Sequence, residues 1–188
     1  MLIVFNIENF RSIKEELTLS MVSTKDKSFE NNLIKTEVLK KDSLVKSAVL
    51  YGANASGKTN VLMALNELRD LVLTSHKNQK GDEIPFYPFK LDELFLKKPT
   101  KLSVTFIKDG IKYIYGISYD KEKIIGEYLY YFPKNYKKII FKRNNTNEYI
   151  FINDVKEKEK EKEKFISDRL LDNVLFLSKA TQEKLEIV

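Results

Sequence analysis

Cysteine is absent from the 188-residue chain, which excludes disulfides, thiolate metal sites and cysteine nucleophiles. Histidine occurs once, as His76, so a motif with two histidine ligands cannot be assembled from this chain alone. A serine triad would need that one histidine, and its G-x-S-x-G elbow is missing. Arginine is scarce and scattered, at Arg11, Arg69, Arg143 and Arg169, so no arginine-rich lid of a small-molecule kinase is evident. No apolar run approaches the ~18 residues of a membrane span. The opening from Met1 to Glu8 has no basic leader and is too short in its apolar part for a secretory signal. The expectation is a soluble, cytoplasmic protein with no membrane partner.

What is present points to a packed core under a solvated surface. Hydrophobic residues make up 43% and charged residues 32%, and the length fits one compact domain or one domain with an insertion. The formal charge of +6 and a pI near 9.2 favour polyanionic partners such as nucleotides or nucleic acid.

Leu2 to Ile7 reads as a strand, and Leu17, Leu19 and Met21 alternate with polar residues as a second one with one buried face. Residues 23–43 form a polar connection. Ser47 to Tyr51 is a compact apolar run ending at Gly52, which predicts a buried central strand. Beyond it, Val61, Leu62, Ala64, Leu65, Leu68, Leu71 and Val72 recur at three- and four-residue spacing, predicting a helix from about Lys58 to Thr74. His76 falls just past that helix, where contact with the helix dipole is expected. Alternation on either side of Asp109-Gly110 predicts a β-hairpin. Ile124 to Phe132, Ile139 to Phe141 and Tyr149 to Ile152 supply further antiparallel strands. The tyrosines of this region form either a core face or a platform on which bases stack. Lys156 to Lys164 alternates Lys and Glu as a solvated segment, and Val174 to Leu177 reads as a final buried strand.

Chemistry is carried by Gly52-Ala53-Asn54-Ala55-Ser56-Gly57-Lys58-Thr59, which matches the phosphate-binding loop pattern G-x-x-x-x-G-K-[ST] at every fixed position. A strand running in and an amphipathic helix running out are the context that this loop needs. Gly52 and Gly57 let the chain wrap a phosphate, the amides from Asn54 to Thr59 form an anion nest, and the helix N-terminus adds partial positive charge. Lys58 would reach the β- and γ-phosphates and the Thr59 hydroxyl would ligate Mg²⁺. Ala55, Ser56 and Asn60 complete the candidate nucleotide-binding set. No guanine-reading N-K-x-D motif is present.

The opening Ile7-Glu8-Asn9-Phe10-Arg11-Ser12-Ile13, followed about forty residues later by this loop, resembles the start of ABC-type ATPases of the RecF, SMC and OLD group. It is most similar to bacterial AAA-family ATP/GTP phosphatases of phage defence. Phe106 to Gly116, Glu127 to Tyr130 and Asn173 to Gln182 are also similar to that family. The resemblance implies an ATP hydrolase with ATP and Mg²⁺ as ligands. It places Arg11 near the nucleotide, although a plain surface arginine is an equal alternative, and Asn54 on the γ-phosphate side. Gln182 would be a catalytic Q-loop glutamine that contacts Mg²⁺ and the attacking water. Where SMC-like members often carry glycine, this chain has Ala55.

After Thr59 there is no L-S-G-G-Q-like signature, no strand ending in an Asp-Glu pair and no switch histidine. Tyr149 to Asp154 only faintly imitates the acidic strand, and Asp82-Glu83 and Asp92-Glu93 read as solvated surface. The expected architecture is an α/β P-loop NTPase, the ABC-ATPase-like N-terminal lobe, with an antiparallel β-rich insertion. Its parts would be a nucleotide-binding core over 1–83, a β-rich arm over 84–152, and a charged helical segment with a strand and the Q-loop over 153–188. Such a chain would be the N-terminal half of an enzyme of DNA repair or phage defence, bind Mg-ATP, and turn it over little alone. Its partners would be the missing C-terminal half or a second chain, with nucleic acid and a homodimer also allowed. A small-molecule phosphotransferase and a non-catalytic nucleic-acid-binding module are the rival readings.

Overall fold

The computed structural model describes residues 1–25, 29–152 and 157–185. Its centre is a seven-stranded sheet in the order β2-β1-β5-β6-β7-β8-β9 with every pairing antiparallel. The strands are β1 (Leu2–Glu8), β2 (Leu17–Ser20), β5 (Thr100–Lys108), β6 (Ile111–Tyr119), β7 (Ile124–Phe132), β8 (Lys138–Asn144) and β9 (Glu148–Phe151). A separate two-stranded sheet pairs β3 (Leu33–Lys35), within the polar connection, with β4 (Ser43–Val45) at its end. The helices are α1 (Lys58–Thr74), α2 (Glu93–Leu96), α3 (Glu157–Ser167) and α4 (Phe176–Gln182). Among the described residues no helix is long and apolar enough to cross a membrane.

The fold is thus mixed α/β with an antiparallel sheet. β1 pairs directly with β5, so the N-terminal strands and those of residues 100–151 lie in one sheet. The expected hairpin forms as β5–β6, with Lys108 opposite Ile111 and positive φ at both Asp109 and Gly110, as a two-residue primed turn requires. α1 lies on one face of the sheet and buries Val61, Ala64, Leu68 and Leu71, each large side chain contributing about 1.5–3 kcal/mol by leaving water. Phe5, Ile7, Leu102, Ile117 and Phe141 meet that stripe from the strands.

Two expected strands are absent. Ser47 to Tyr51 has no regular structure, and Val49 and Tyr51 are 67% and 89% exposed. No strand among the described residues runs beside this segment, and an isolated strand leaves its backbone ladder unpaired. Val174 to Leu177 is not a strand either, since α4 begins at Phe176. There the Glu127 carboxylate accepts the amides of Phe176 (2.6 Å) and Leu177 (3.0 Å), which stabilises a helix start over an extended chain. Second-strand burial is also weaker than the alternation suggests, as Leu17 is exposed and Leu19 only half-buried. The Lys-Glu run is helical from Glu157, with 1,4-spaced pairs Lys160–Glu157 and Lys162–Glu159. Lys156, Asn153 and Asp154 lie outside the described residues.

Candidate nucleotide-binding site

The loop before α1 is curled rather than splayed. The Ser56 amide donates to the Ala53 carbonyl at 3.2 Å, and the Lys58 ammonium folds back onto the carbonyls of Gly52 (2.8 Å) and Ala53 (2.7 Å). Lys58 makes no ion pair among the described residues. The amides of Asn54, Ala55, Gly57, Lys58 and Thr59 likewise have no hydrogen-bond partner among the described residues. Unpaired amides at the head of a seventeen-residue helix, beside an ammonium held only by two carbonyls, are the donor set that an anionic phosphate takes.

Two backbone positions fix this shape. Gly57 has φ +93°, and a Cβ there would stand 2.6 Å from the Ser12 Oγ. Ala55 adopts φ +63°, a left-handed conformation costing an L-residue ~1–2 kcal/mol, which gives a physical reason for glycine at the matching position of similar loops.

The turn after β1 buttresses the loop. Asn60 Nδ2 donates to Ser12 Oγ at 2.7 Å, joining the first turn of α1 to the residue that also crowds Gly57. That turn is itself held by the buried Asn9, whose amide donates to the carbonyls of Phe95 (2.9 Å) and Lys98 (2.7 Å). The arginine beside it points elsewhere. The Arg11 guanidinium lies 4.5 Å from the centre of the Tyr87 ring, and its amide donates to the Tyr87 carbonyl. It also faces Glu67, whose carboxyl is raised above the usual range by burial and by Asp70, with Arg11 pulling it the other way. Ser12 therefore reaches the loop, while Arg11 faces the middle of α1. In the sequence only its place in the Asn9-Phe10-Arg11-Ser12 quartet marks Ser12.

A groove of about 580 Å³ opens beside the loop, lined by Ser12, Lys14, Glu16, Tyr51, Gly57 and Lys58 among others, within the size range of small-molecule sites. Thr59 is exposed at the loop, as are Asn54, Ala55 and Ser56. Gln182 is not in this groove. It is exposed at the end of α4, whose first turns are tied to the opposite end of α1. At ~1.5 Å per residue that end stands roughly 22 Å from Thr59. No group of three or more His, Cys, Asp or Glu able to hold a metal ion occurs among the described residues. Asp92 is engaged with Lys14 and the Leu94 amide, and Glu83 with Lys121, so these two carboxylates already have partners.

A roomier cleft of about 680 Å³ runs between α1 and the sheet, with an apolar lining that includes Leu62, Leu65, Val72, Phe106, Tyr113 and Leu129. The sequence reading also missed the buried Glu127 and Arg143, although alternation along Glu127-Tyr128-Leu129-Tyr130 puts Glu127 on the same face as Leu129.

No curated protein matches the chain. The family model described as "AAA domain, putative AbiEii toxin, Type IV TA system" matches residues 47–185, from the segment before the loop to the end of the described residues. The match covers well over half of the chain, so the chain belongs to this AAA-domain family and is a nucleotide-binding domain of the ATPase type.

Proposed function

We propose that the chain binds Mg-ATP at residues 52–60 and works as one half of an ABC-like ATPase of the RecF, SMC and OLD type, in DNA repair or phage defence. The observation that carries this reading is the curled loop, with its unpaired amides and with Lys58 held only by two carbonyls that a phosphate can replace. Lys58 would move from those carbonyls to the phosphates, Thr59 would supply a hydroxyl to Mg²⁺, and Gly57 would let the backbone close around them. Bound Mg²⁺ supplies charge neutralisation of the phosphates.

Hydrolysis also needs a group that orients the attacking water. Glu15 and Glu16 line the groove beside the loop, but no group of three or more His, Cys, Asp or Glu forms there among the described residues. We assign the water-orienting group to a partner segment, carried by another chain or by further sequence. Two observations support a partner there: the exposed, unpaired Val49 to Tyr51 run leading into the loop, and the apolar cleft along α1 with the exposed Leu62 and Leu73.

Thermal melting with and without Mg-ATP tests the binding. At ligand near one hundred times Kd, binding adds ~2.7 kcal/mol, or roughly 5–11 °C for a chain of this size. Lys58→Ala should abolish that shift, and a folded wild-type chain that shows none would sink the reading. Steady hydrolysis by the purified chain, lost in Lys58→Ala, would instead overturn only the half-enzyme part.

A further inference from the structure

The sheet has two faces, and its tyrosines divide between them. Tyr113, Tyr115, Tyr119, Tyr131 and Tyr149 belong to the core on the α1 side or pack against it. On β7 the buried Glu127 and Leu129 alternate with Tyr128, Tyr130 and Phe132, which therefore stand on the opposite face. On that side Ile3 and Ile107 are covered by Leu44, Ile34, Val38 and Leu39 of the β3–β4 segment, while Tyr128, Tyr130 and Phe132 stay half-exposed beyond it.

These rings are laid out as a platform. Gly116 pairs with Tyr128 across β6 and β7, and a Cβ on it would lie 2.3 Å from Cζ and the hydroxyl of Tyr128, so the tip of that ring fills the space over the glycine. Tyr130 stacks on Tyr128 with centroids 4.8 Å apart and planes 17° apart. Cations surround them. The Lys137 ammonium sits 3.7 Å from the Tyr130 centroid and Lys112 sits 4.1 Å from that of Phe132. Lys142 lies opposite Tyr128. None of these three lysines makes an ion pair among the described residues. Residues 100–151 hold ten Lys and Arg against five Asp and Glu, and so carry five of the six net positive charges. Beside the rings a trough of about 190 Å³ is lined by Ser118, Asn144, Lys101 and Lys142, with the carboxylates of Glu8 and Glu16 on its far side.

We propose that this open face, built on Tyr128, Tyr130 and Phe132 and flanked by Lys112, Lys137 and Lys142, binds single-stranded nucleic acid. Tyr128 and Tyr130 already stack on each other, so a base would extend that stack from its outer face, and an antiparallel sheet that presents aromatics can stack two or three splayed bases. Lys137 and Lys112 lie over the ring faces and, having no carboxylate partner among the described residues, can turn from the rings to the phosphates as bases stack. A duplex hides its bases from such a platform, and a second copy of the chain would bring like charge against like. This inference is independent of the phosphate loop.

The test is fluorescence anisotropy without nucleotide or Mg²⁺. The probes are labelled oligo-dT and oligo-rU of about 12 nucleotides, within the ~4–16 that such sites cover. Stacking a base is worth ~1–3 kcal/mol, so Tyr128→Ala and Tyr130→Ala should each weaken binding roughly 5- to 150-fold. Lys137→Ala with Lys142→Ala should flatten the salt dependence by about 1.4 in log–log slope, ~0.7 for each phosphate that is no longer neutralised. Circular dichroism melts establish that each variant is folded. Tighter binding of one polymer assigns the sugar. Absence of wild-type binding at about 50 mM salt, stronger binding of a duplex of the same length, or affinity unchanged in both the tyrosine and lysine variants would each overturn the proposal.

Discussion

The two ends of α1 are built on opposite terms. At its head the chain is exposed, the amides are unpaired, and Lys58 rests on two carbonyls at the surface. At its tail nearly every polar group is buried and engaged. Ser75 Oγ accepts the Leu175 amide, and Ser178 Oγ accepts the His76 amide and faces His76 Nδ1. Asn173 donates to the carbonyls of Gln79 and Asp82. Behind them the Arg143 guanidinium holds the carbonyls of Thr146 and Val174, and Glu127 takes the Tyr115 hydroxyl besides the two α4 amides. One helix thus joins a site left open for a ligand to a clamp engaged from within, where the buried Asn173 Oδ1 and Tyr149 hydroxyl stand without a hydrogen-bond partner among the described residues. Donors that are to receive a ligand must stay free of internal partners, whereas buried donors left free would cost stability. His76, the only histidine, sits in the clamp and not at the loop, and its hydrogen bonds to Ser178 add a specific partner to the helix-end placement expected of it.

The largest expected effect is at the clamp. Burial raises the Glu127 carboxyl above its usual range, opposed by the Leu177 amide, Arg143, the Phe176 amide and the Tyr115 hydroxyl. Glu127→Ala would strand those donors and leave Arg143 without its neighbouring charge. Removing one member of such a buried set costs about 3–5 kcal/mol, which lowers Tm by roughly 6–20 °C. Glu127→Gln, which keeps an acceptor, should lose less. A Tm within about 2 °C of wild type for Glu127→Ala would show that the carboxylate does not hold α4 in place.

This contrast also explains what could be read in the sequence. α1 was legible to its ends because its stripe of Val61, Ala64, Leu68 and Leu71 is local information. The β5–β6 hairpin was legible because Asp109-Gly110 dictates a primed turn. Both features depend on residues near in sequence. The two failures depend on distant partners. Ser47 to Tyr51 has the composition of a central strand but lacks a neighbouring strand among the described residues. Val174 to Leu177 has strand-like residues but is capped into a helix by Glu127, some fifty residues earlier. The candidate site divides in the same way: the loop motif states its own chemistry, while Ser12 comes to it only through the turn after β1.

At the head of α1 the next effect is smaller in stability and complete in function. Gly57→Ala would force an L-residue to φ +93° and press its Cβ against Ser12 Oγ. The backbone cost is ~1–2 kcal/mol, or roughly 2–8 °C in Tm, because the surrounding loop is exposed and can shift. Closure around a phosphate would be lost, so the Mg-ATP stabilisation should vanish while the fold survives. Retention of the full ligand shift in a folded Gly57→Ala chain would mean that the loop does not need this turn.

The smallest effect belongs to the helix that covers the clamp. Glu163 is buried on α3, next to Ile166 of the core, and has no ion pair among the described residues. Burial, and then Glu159, push its carboxyl up to about 7 from 4.5, against the pull of Lys160. In the window between those values the folded chain holds a proton that the unfolded chain has released. The sign follows: the stability contributed by this group is present below the lower value and falls as pH rises through the upper one. Glu163→Gln never ionises, so its Tm should fall less than that of wild type between about pH 5 and pH 8. Equal slopes in the two proteins would remove Glu163 as the source. The Mg-ATP shift should be the same in both, since α3 lines no part of the groove beside the loop, and a change in that shift would mean that the clamp and the loop communicate along α1.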